Sequence, residues 1–491
     1  MAIGNDNSNP TSYELEILTL VNNEGEGFDI RNIFMSCKIF ESITSNFLMG
    51  EIIISDGINL LETAKLFGQE SLRIKYSQNS GVGDETHPDD KIDKIFRIYK
   101  VDNIKKASAD LTAYKLSFCS QELIQAKRQR VNQAFRGSLT DIAASVAEQY
   151  LDIKNEQNED SSGLTPKFDI RLKSEGDNFH VVIPNYKVDD TINYLCSKSQ
   201  GTANESGLQN SFFFFETANG SYRIQTLESM MESRYAGGRP FVYTNVQDKD
   251  TKIIPADKTE ADEVGISRRI LSYSIGTSAN VLKATVNGMF ASKQFTIDNT
   301  YKFFSERSYN FLEKFYGDEL GSIEEHPFVR IQPETIYIGK DSGEGEDVEI
   351  IGNSEYDTIG SYADSNLLIK SDSQFVHHEQ NTIVQPGNNA AAGADQFRQA
   401  ARELLEYHTV EVVISARTDI SCGALINLQV PISSAGADNL DPAFYSGDHL
   451  ITDIMWKLTP SDCKVNVRAI KDSVINNIET TEIEYGATLS E

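Results

Sequence analysis

Apolar and polar residues alternate along much of the first 120 positions of this chain. Apolar Leu72, Ile74 and Tyr76, for example, are separated by Arg73 and Lys75. A period of two is typical of β-strands with one buried face, and broadly apolar runs add further candidate strands. The candidate strands cover residues 13–17, 28–40, 49–54, 72–76, 95–101 and 114–118. Together they predict an antiparallel β-barrel or sandwich.

Two helices interrupt or follow this strand pattern. A short helix is predicted over 59–67, and a longer amphipathic one over 138–151. Ser138 and Thr140 are candidate N-caps of the longer helix, because their hydroxyls can accept from backbone N–H groups of its first turn. Residues 13–153 are therefore expected to form one β-barrel domain with a flanking helix.

An apolar strand, an amphipathic helix and an aromatic hairpin follow one another in the middle of the chain. The strand covers 181–186, the helix 189–195, and the aromatic run Phe212–Phe215 turns at Asn219-Gly220 into a partner strand. Consecutive aromatic residues on a strand point to both faces, so burial on two sides is the commoner cause; a sugar-stacking or membrane-facing patch is the alternative. This pattern predicts a small inserted α/β domain over 165–245.

Strand patterns return between residues 270 and 295 and continue to residue 471. A helix is predicted over 395–407, followed by candidate strands at 410–416, 425–431, 449–459 and 464–471. A second β-barrel is therefore expected in two parts, interrupted by an acidic insertion and linker. The predicted divisions are a flexible arm (1–12), the first barrel (13–153), the inserted domain (165–245), the start of the second barrel (265–332), the acidic insertion and linker (333–394), the remainder of the second barrel (395–475) and an acidic tail (476–491).

Charge limits the partners that such a chain can bind. The 491 residues include 45 Lys and Arg but 73 Asp and Glu, a net charge of −28. This balance argues against a nucleic-acid-binding surface, because phosphate binding needs clustered cations. The acidity is explained either by solubility or by a passage that DNA crosses without sticking. One short basic cluster, Lys127, Arg128 and Arg130 followed by Arg136, is either an intersubunit or partner contact or a solvated face.

Cysteine usage indicates a reducing compartment. Cys37, Cys119, Cys196, Cys422 and Cys463 are widely spaced and odd in number, so buried free thiols are expected. The N-terminus is polar and carries no signal-peptide core. No apolar run approaches the roughly 20 residues of a membrane-spanning helix. Assembly in the host cytoplasm, without membrane insertion, is expected.

Candidate chemical sites are weak. His377-His378-Glu379 has the wrong spacing for a helical zinc-protease motif and lies in a segment that reads as a loop. Asp441, Asp448 and Asp453 lack the Gly and bidentate Glu of a calcium loop at the required positions. Phosphate loops, nucleophile elbows and dinucleotide fingerprints are not recognisable. The sequence predicts no catalytic, cofactor-binding or metal-binding residues, no cofactor and no enzymatic activity.

Four blocks, in this order, resemble the central hub proteins of contractile tails. That group includes the valine-glycine-repeat (VgrG) spike proteins, late-control tail proteins of phages and the baseplate hub of T-even-type myophages. The blocks are Gly50–Tyr76, Val181–Ile224, Gly393–Leu405, and Gly423–Leu428 followed by Tyr445–Asp453. Ile454-Met455-Trp456-Lys457 stands where VgrG-like chains place a His, and no β-helical needle follows. The T-even-type hub is therefore the nearest match.

The resemblance implies a structural role. Hub subunits of this kind form a homotrimer in which each chain supplies two barrels similar to a tail-tube subunit, with strands lining the lumen and helices outside. The ring adapts a six-fold tube or tube initiator above to a three-fold spike below, in the virion baseplate, and DNA passes through it. Tape-measure and wedge proteins are further expected contacts. Residues of the lumen and the subunit contacts are not assigned by the sequence. The alternatives are the hub of a headless contractile injection system and a β-rich carbohydrate-binding or hydrolytic tail protein.

Overall fold

The fold was analysed in a computed structural model of the chain. The structure describes residues 11–78, 91–106, 108, 111–155, 167–171, 179–201, 211–231, 241–243, 269–277, 280–298, 303–311, 323, 326–327, 336–337, 350–351, 363–371, 376–379, 382–383, 394–429 and 446–474. Over these ranges the protein is rich in β-strands, with large antiparallel sheets and seven α-helices. The predicted β-rich α+β class is confirmed at this level.

The first half of the chain forms a run of seven antiparallel strands in the order β2-β1-β5-β6-β7-β4-β3. The strands are β1 (Tyr13–Val21), β2 (Gly27–Asp29), β3 (Phe34–Ser42), β4 (Met49–Asp56), β5 (Ser71–Gln78), β6 (Lys91–Lys106) and β7 (Thr112–Ser120). On β5, Leu72, Ile74 and Tyr76 are each at most 1% exposed, whereas Arg73 and Lys75 point outward. The period-two prediction is confirmed there.

The first helix is shorter than predicted. α1 covers only Leu60–Thr63, not 59–67. Asn59 precedes it with φ 57°, and Lys65 follows with φ 52°, so left-handed backbone bounds both ends. The Asp56 carboxylate also accepts the N–H groups of Ile58 and Leu61 (both 3.0 Å), which holds the chain in a turn before the helix begins.

The middle of the chain contains most of the helices. Its elements are α2 (Gln121–Arg128), β8 (Arg130–Val131), β9 (Ala134–Gly137), α3 (Leu139–Leu151), β10 (Lys154–Asn155), β11 (Lys167–Ile170), β12 (Phe179–Val182), β13 (Tyr186–Lys187), α4 (Val188–Lys198), β14 (Phe212–Glu216), β15 (Ser221–Thr226) and α5 (Leu227–Met231). The helix predicted over 138–151 is confirmed as α3, and Ser138 caps it by accepting the N–H of Asp141 at 3.1 Å. α3 and α4 pack on a mixed sheet, β10-β11-β15-β14, around a separate hydrophobic cluster.

The second half contains a longer series of strands and two helices. Its elements are β16 (Phe241–Tyr243), β17 (Arg269–Thr277), α6 (Val281–Val286), β18 (Ala291–Asp298), β19 (Phe303–Asn310), β20 (His326–Pro327), β21 (Ile336–Tyr337), β22 (Ile350–Ile351), a 3₁₀ turn (Ala363–Ser365), β23 (Leu367–Ser371), β24 (Val376–Glu379), β25 (Thr382–Ile383), α7 (Ala394–Tyr407), β26 (Thr409–Ser415), β27 (Leu425–Gln429), β28 (Gly447–Leu458), β29 (Cys463–Ile470) and β30 (Ser473–Val474). The helix predicted over 395–407 and the four candidate strands after residue 409 are confirmed, apart from small differences at their ends. Residues 430–431 of the second candidate strand lie outside the described ranges.

The strand pattern predicted between 270 and 295 is wrong in its centre, where α6 lies. The side chain of Asn280 accepts the N–H of Lys283 at 2.9 Å and so caps this helix. Val281, Thr285 and Val286 are β-branched residues that favour strands, which is why the segment is predicted as a strand. The local cap overrides that preference.

Six strands of the second half hydrogen-bond in a closed cycle, β28-β27-β16-β17-β26-β29 and back to β28. β16 belongs to this cycle although it lies within the span predicted for the insert. Small sheets outside the cycle are β19-β18-β23, β25-β24-β12-β9, β13-β8, β20-β30 and β21-β22.

One strand joins the two halves. β28 pairs antiparallel with β3 over Asp453–Leu458, with Trp456 opposite Ile39. Both residues are fully buried, and the indole N–H of Trp456 donates to the carbonyl of Arg417 at 3.0 Å. A single hydrophobic cluster extends from Leu18 in the first half to Ile470 in the second. The halves therefore share one sheet and one core, called the main core below.

Candidate functional site at the insert junction

The β14–β15 hairpin connects two hydrophobic cores. Phe212 and Phe214 point into the cluster around α3 and α4, whereas Phe215 points into the main core and Phe213 packs partly buried against it. Phe212, Phe214 and Phe215 are 8%, 2% and 0% exposed. The prediction of an aromatic strand buried on both sides is confirmed. Alternation along the strand is what lets one short hairpin join two cores.

Glu216, at the end of β14, fixes the hairpin to the first half. Its carboxylate accepts the N–H of Leu48 at 2.8 Å and the hydroxyl of Ser120 at 2.6 Å, and it forms an ion pair with Lys94. Glu216 and Lys94 are 1% and 9% exposed. Burial lowers the pKa of Lys94 to about 8, which nearby carboxylates oppose. A buried ion pair contributes little net stability, but losing one partner is costly. The pair therefore favours this one position of the hairpin against the first half over positions that would leave either charge unpaired.

Glu41, on β3, fixes the turn of the same hairpin. One carboxylate oxygen accepts the N–H of Ala218 in the turn at 2.7 Å, and the other accepts the N–H of Cys422 before β27 at 2.6 Å. Glu41 is 2% exposed. Burial raises the pKa of Glu41, an effect that the two N–H donors and the nearby Arg223 oppose. One side chain thus ties the insert to both halves.

The hairpin also contacts the second half directly. The guanidinium of Arg223 on β15 donates to the hydroxyl of Ser421 at 3.1 Å. Its Nε atom lies 4.0 Å from the carboxylate of Asp169 on β11. These contacts and those of Glu41 and Glu216 are called the insert junction below. Its buried charges, and its hydrogen bonds between distant segments of the same chain, can fix the relative position of the first half, the insert and the second half.

Sequence reasoning missed the charged residues of the insert junction. Two of them occupy inward positions on apolar strands. Glu41 follows Cys37 and Ile39 on β3, and Lys94 lies between Ile92 and Phe96 on β6. A charged residue at the core-facing position of a period-two pattern was the available signal. This signal locates a buried charge. It does not identify the partners of that charge, because they come from distant segments.

The outward side of the first-half sheet carries a row of cross-strand ion pairs. Glu51 on β4 pairs with Lys38 on β3 at 2.7 Å and with Lys115 on β7 at 3.3 Å. Asp102 on β6 continues the row, 3.9 Å from Lys115 and 2.5 Å from Lys100. The hydrogen bond from Lys38 lowers the pKa of Glu51. This surface, opposite the main core on β1 and β3–β7, is called the outer strand face.

Among the ion pairs described on the outer strand face, acidic residues do not outnumber basic ones. Further pairs there join Arg73 to Asp93 at 2.9 Å, and Glu16 to Lys75 at 2.5 Å and Lys91 at 3.2 Å. In all, the pairs described on this face join six Lys or Arg residues to four Asp or Glu residues.

The predicted basic cluster is partly used within the chain. Lys127 forms an ion pair with Asp189 at the start of α4, and Arg130 donates to the carbonyl of Asn185 at 2.9 Å. Arg128 is exposed at the end of α2. These contacts hold α2 against the insert. An additional intersubunit or partner contact at this cluster stays a prediction.

The candidate metal-ligating residues are not brought together in the described part of the chain. His377-His378-Glu379 lies in β24, which pairs with β12 and β25, so the loop prediction for this segment is wrong. The partner in β12 is distant in sequence. Asp448 accepts a hydrogen bond from Asn427, Asp453 lies 3.7 Å from Arg468, and Asp441 falls outside the described residues. Among the residues described, no group of three His, Cys, Asp or Glu is placed to hold a metal ion.

The remaining sequence predictions concern thiols and membranes. All five cysteines are buried and free, as predicted, and burial raises the pKa of each thiol. Within the ranges given above, no helix is long and apolar enough to cross a membrane.

Comparisons with known proteins return tail proteins. No family model matches the chain, and no curated protein matches it. Among solved structures, a 43 kDa tail protein of prophage MuSo2 from Shewanella oneidensis is 10% identical, with 94% of this chain and 98% of that chain covered and a TM-score of 0.47. A tail protein from Neisseria meningitidis MC58 is 9% identical, with 94% and 97% covered and a TM-score of 0.47.

A third neighbour comes from a secretion system. It is an Escherichia coli component of the type VI secretion system, described as structurally similar to the T4 tail proteins gp27 and gp5. It is 9% identical, with 95% of this chain and 79% of that chain covered and a TM-score of 0.39. The neighbours are thus described as tail proteins and as a component of a secretion system.

Proposed function

We propose that this chain is the structural central hub subunit of a phage baseplate. Three copies form a ring that adapts a six-fold tail tube to a three-fold spike, and DNA crosses its central channel. The two barrels are proposed over residues 13–153 and over 265–332 together with 395–475, and the insert over 165–245, whose last strand, β16, completes the second barrel. The subunit acts by assembly and not by catalysis.

The observation that carries this proposal is the β3–β28 pairing. It fuses a seven-strand run and a six-strand cycle side by side in one hydrogen-bonded sheet with one core. A chain with two sheet units can present six units from three copies, which suits a junction between six-fold and three-fold structures. The halves cannot rotate independently, because separating them would expose Ile39 and Trp456.

The outer strand face supports a passage role if it lines the channel. Its cations are paired with carboxylates across neighbouring strands, as in the row from Lys38 through Glu51 to Lys115. Phosphate binding draws on unpaired, clustered cations that release counterions. A surface of paired charges is hydrated and should bind DNA only weakly.

The insert junction supports a role in bearing load. Glu41 and Glu216 tie the hairpin to β3, β4, β7 and the segment before β27 through buried hydrogen bonds. Buried hydrogen bonds of this kind keep their partners better than exposed ion pairs do, because water competes for the exposed groups. A rigid insert offers the spike, tube and other baseplate proteins a fixed surface.

The first test is the mass and shape of the purified full-length chain. Native mass spectrometry should give a species of about 164 kDa, three chains of 54.7 kDa each, and electron microscopy should show three-fold rings with an open centre. Mixing with the spike protein encoded beside it should increase the ring population. A chain that stays monomeric both alone and with that spike would contradict the proposal.

A second measurement separates the alternatives. Turnover of peptidoglycan or of a polysaccharide by the purified chain would favour the hydrolytic tail protein instead. A gene neighbourhood with sheath and tube genes but no capsid genes would place the same hub in a headless injection system.

A further inference from the structure

A cleft lies between α4, the start of β14 and α7. It encloses about 500 Å³, within the size range of pockets that hold small molecules or short peptide segments. The residues important here are Asn193, Ser211, Phe213, Arg398, Arg402 and Arg468. This space is called the α4–α7 cleft below. It lies outside the contacts of the insert junction.

Three arginines line the cleft, together with Asp453 and with Glu406, whose carboxylate is paired with Lys283. Arg398 and Arg402 are four residues apart on α7 and so lie on one side of that helix. Arg398 is held by Asp395 at 3.2 Å and by the carbonyl of Ser199. Arg402 is exposed and makes no ion pair or hydrogen bond to any residue that the structure describes.

The third arginine is only loosely paired. Arg468 on β29 lies 3.7 Å from the carboxylate of Asp453, and its side chain is 40% exposed. An exposed pair at that distance contributes little and exchanges readily with another anion. Arg402 and Arg468 are thus available to one carboxylate that enters the cleft.

Ser211, which lines the same space, is buried together with its hydroxyl. Ser211 is 3% exposed, and its Oγ atom has no hydrogen-bond partner within the described part of the chain. An unsatisfied buried polar group is destabilising, so such groups generally have a partner in the working state. Beside Ser211, the half-buried ring of Phe213 forms an apolar wall.

We propose that the α4–α7 cleft binds a short acidic peptide segment of a partner protein. A carboxylate of the segment lies between Arg402 and Arg468, the hydroxyl of Ser211 donates to a segment oxygen, and an apolar side chain packs on Phe213. Duplex DNA is a poor occupant, because it would need a long cationic track, and this chain carries a net charge of −28. The inference stands whether or not the chain is a hub.

The test uses the full-length chain and a defined probe. A fluorescein-labelled hexapeptide, Glu-Phe-Glu-Glu-Phe-Glu, is titrated by fluorescence anisotropy, with the matched peptide in which every Glu is Gln as the control. The acidic peptide should bind saturably and more weakly as salt is raised, because ion pairs at an open cleft are screened. Excess unlabelled acidic peptide should displace it.

Variants locate the binding. Arg402→Glu should weaken the acidic peptide about tenfold or more, since a charge-assisted hydrogen bond contributes about 1.5–3 kcal/mol. Ser211→Ala should weaken it by a smaller factor. Lys105→Glu makes the same charge change at an exposed position on β6 and should leave binding unchanged. Equal melting temperatures of the variants would confirm that each is folded.

Several outcomes would overturn the proposal. They are absence of saturable binding, equal binding of the Gln peptide, equal weakening by Lys105→Glu, and tighter binding of a short DNA duplex at the same residues. Displacement of the peptide by millimolar inorganic phosphate alone would identify a general anion site instead of a peptide site.

Discussion

The carboxylate of Glu41 accepts a 2.6 Å hydrogen bond from the backbone N–H of Cys422, a residue 381 positions further along the chain. The same carboxylate accepts the N–H of Ala218 in the hairpin turn at 2.7 Å. One buried side chain therefore satisfies two backbone donors from two distant segments.

Replacing this carboxylate should weaken the junction. In Glu41→Gln, one of the two N–H groups faces an amide NH₂ instead of an oxygen, in either orientation of the side chain. The free energy of unfolding should fall by about 1–3 kcal/mol, as expected when a buried donor loses its acceptor. Urea denaturation at pH 7 measures the difference.

The matched control for that change is Glu411→Gln. Glu411 lies exposed on β26, so the same chemical change there should alter stability by less than about 0.5 kcal/mol. Hydrogen exchange should also report faster exchange at Ala218 and Cys422 in Glu41→Gln only. Equal losses for the two variants would mean that the two N–H contacts contribute nothing specific.

The aromatic hairpin allows the two cores to be loosened separately. Phe214→Ala removes a ring from the cluster around α3 and α4, and Phe215→Ala removes a neighbouring ring from the main core. Each should cost about 3–5 kcal/mol, the usual range for a buried Phe. Hydrogen-exchange mass spectrometry should show faster exchange mainly in α3 and α4 for the first variant, and in β3 and β28 for the second.

The prediction that the two cores loosen separately is tested by which segments exchange faster, and not by how much stability each variant loses. If both variants loosened the same segments equally, the two clusters would behave as one cooperative unit. Phe213→Ala serves as the control, since its half-buried ring should cost less than either neighbour.

Local patterns predicted much of this structure. The alternation around Leu72, the capped helix α3 and the Asn219-Gly220 turn each depend on residues close in sequence, and each was recovered. α1 and α6 were assigned less well, because capping side chains and left-handed residues override weak periodicity over four to six residues.

Contacts between distant segments were not predictable from one sequence. The β3–β28 pairing, the β24–β12 pairing and the partners of Glu41 join residues far apart along the chain. The aromatic run indicated burial on two sides, but not that the sides enter two different cores. Three arginines from α7 and β29 meet in the α4–α7 cleft for the same reason.

Two buried groups in the second half should give stability an unusual pH dependence. Burial, with Lys471 and His408 nearby, lowers the pKa of His449 from its ordinary value of 6.5 to about 3. Between about pH 6.5 and 3 the unfolded chain binds more protons at this site, so its contribution falls as the pH falls. From pH 7 to 5 the loss is about 2 kcal/mol.

Asp472 acts in the opposite direction. Burial raises its pKa from 3.8 to about 6, so the folded chain holds more protons between about pH 4 and 6. Its contribution is therefore lost as the pH rises through that range and regained on acidification. From pH 7 to 5 the gain is about 1 kcal/mol.

Two variants separate these opposing effects. His449→Asn keeps a donor for the carbonyl of Gly447, which lies 2.9 Å from Nδ1 of His449, but it cannot become charged. Relative to the wild type, it should lose less stability between pH 7 and 5, and Asp472→Asn should lose more. Urea denaturation at both pH values measures the slopes, and parallel slopes for all three proteins would refute the assignment.

A charge on β27 should open the six-strand cycle. Ile426 and Leu428 are both fully buried, and β27 is held between β28 and β16. Ile426→Asp places a carboxylate in the main core without a partner, which should cost several kcal/mol and abolish assembly. The matched change Ser274→Asp, at an exposed position on β17, should be tolerated. Circular dichroism melting and native mass spectrometry compare the two. Unchanged melting and assembly in Ile426→Asp would mean that this strand does not close the cycle in solution.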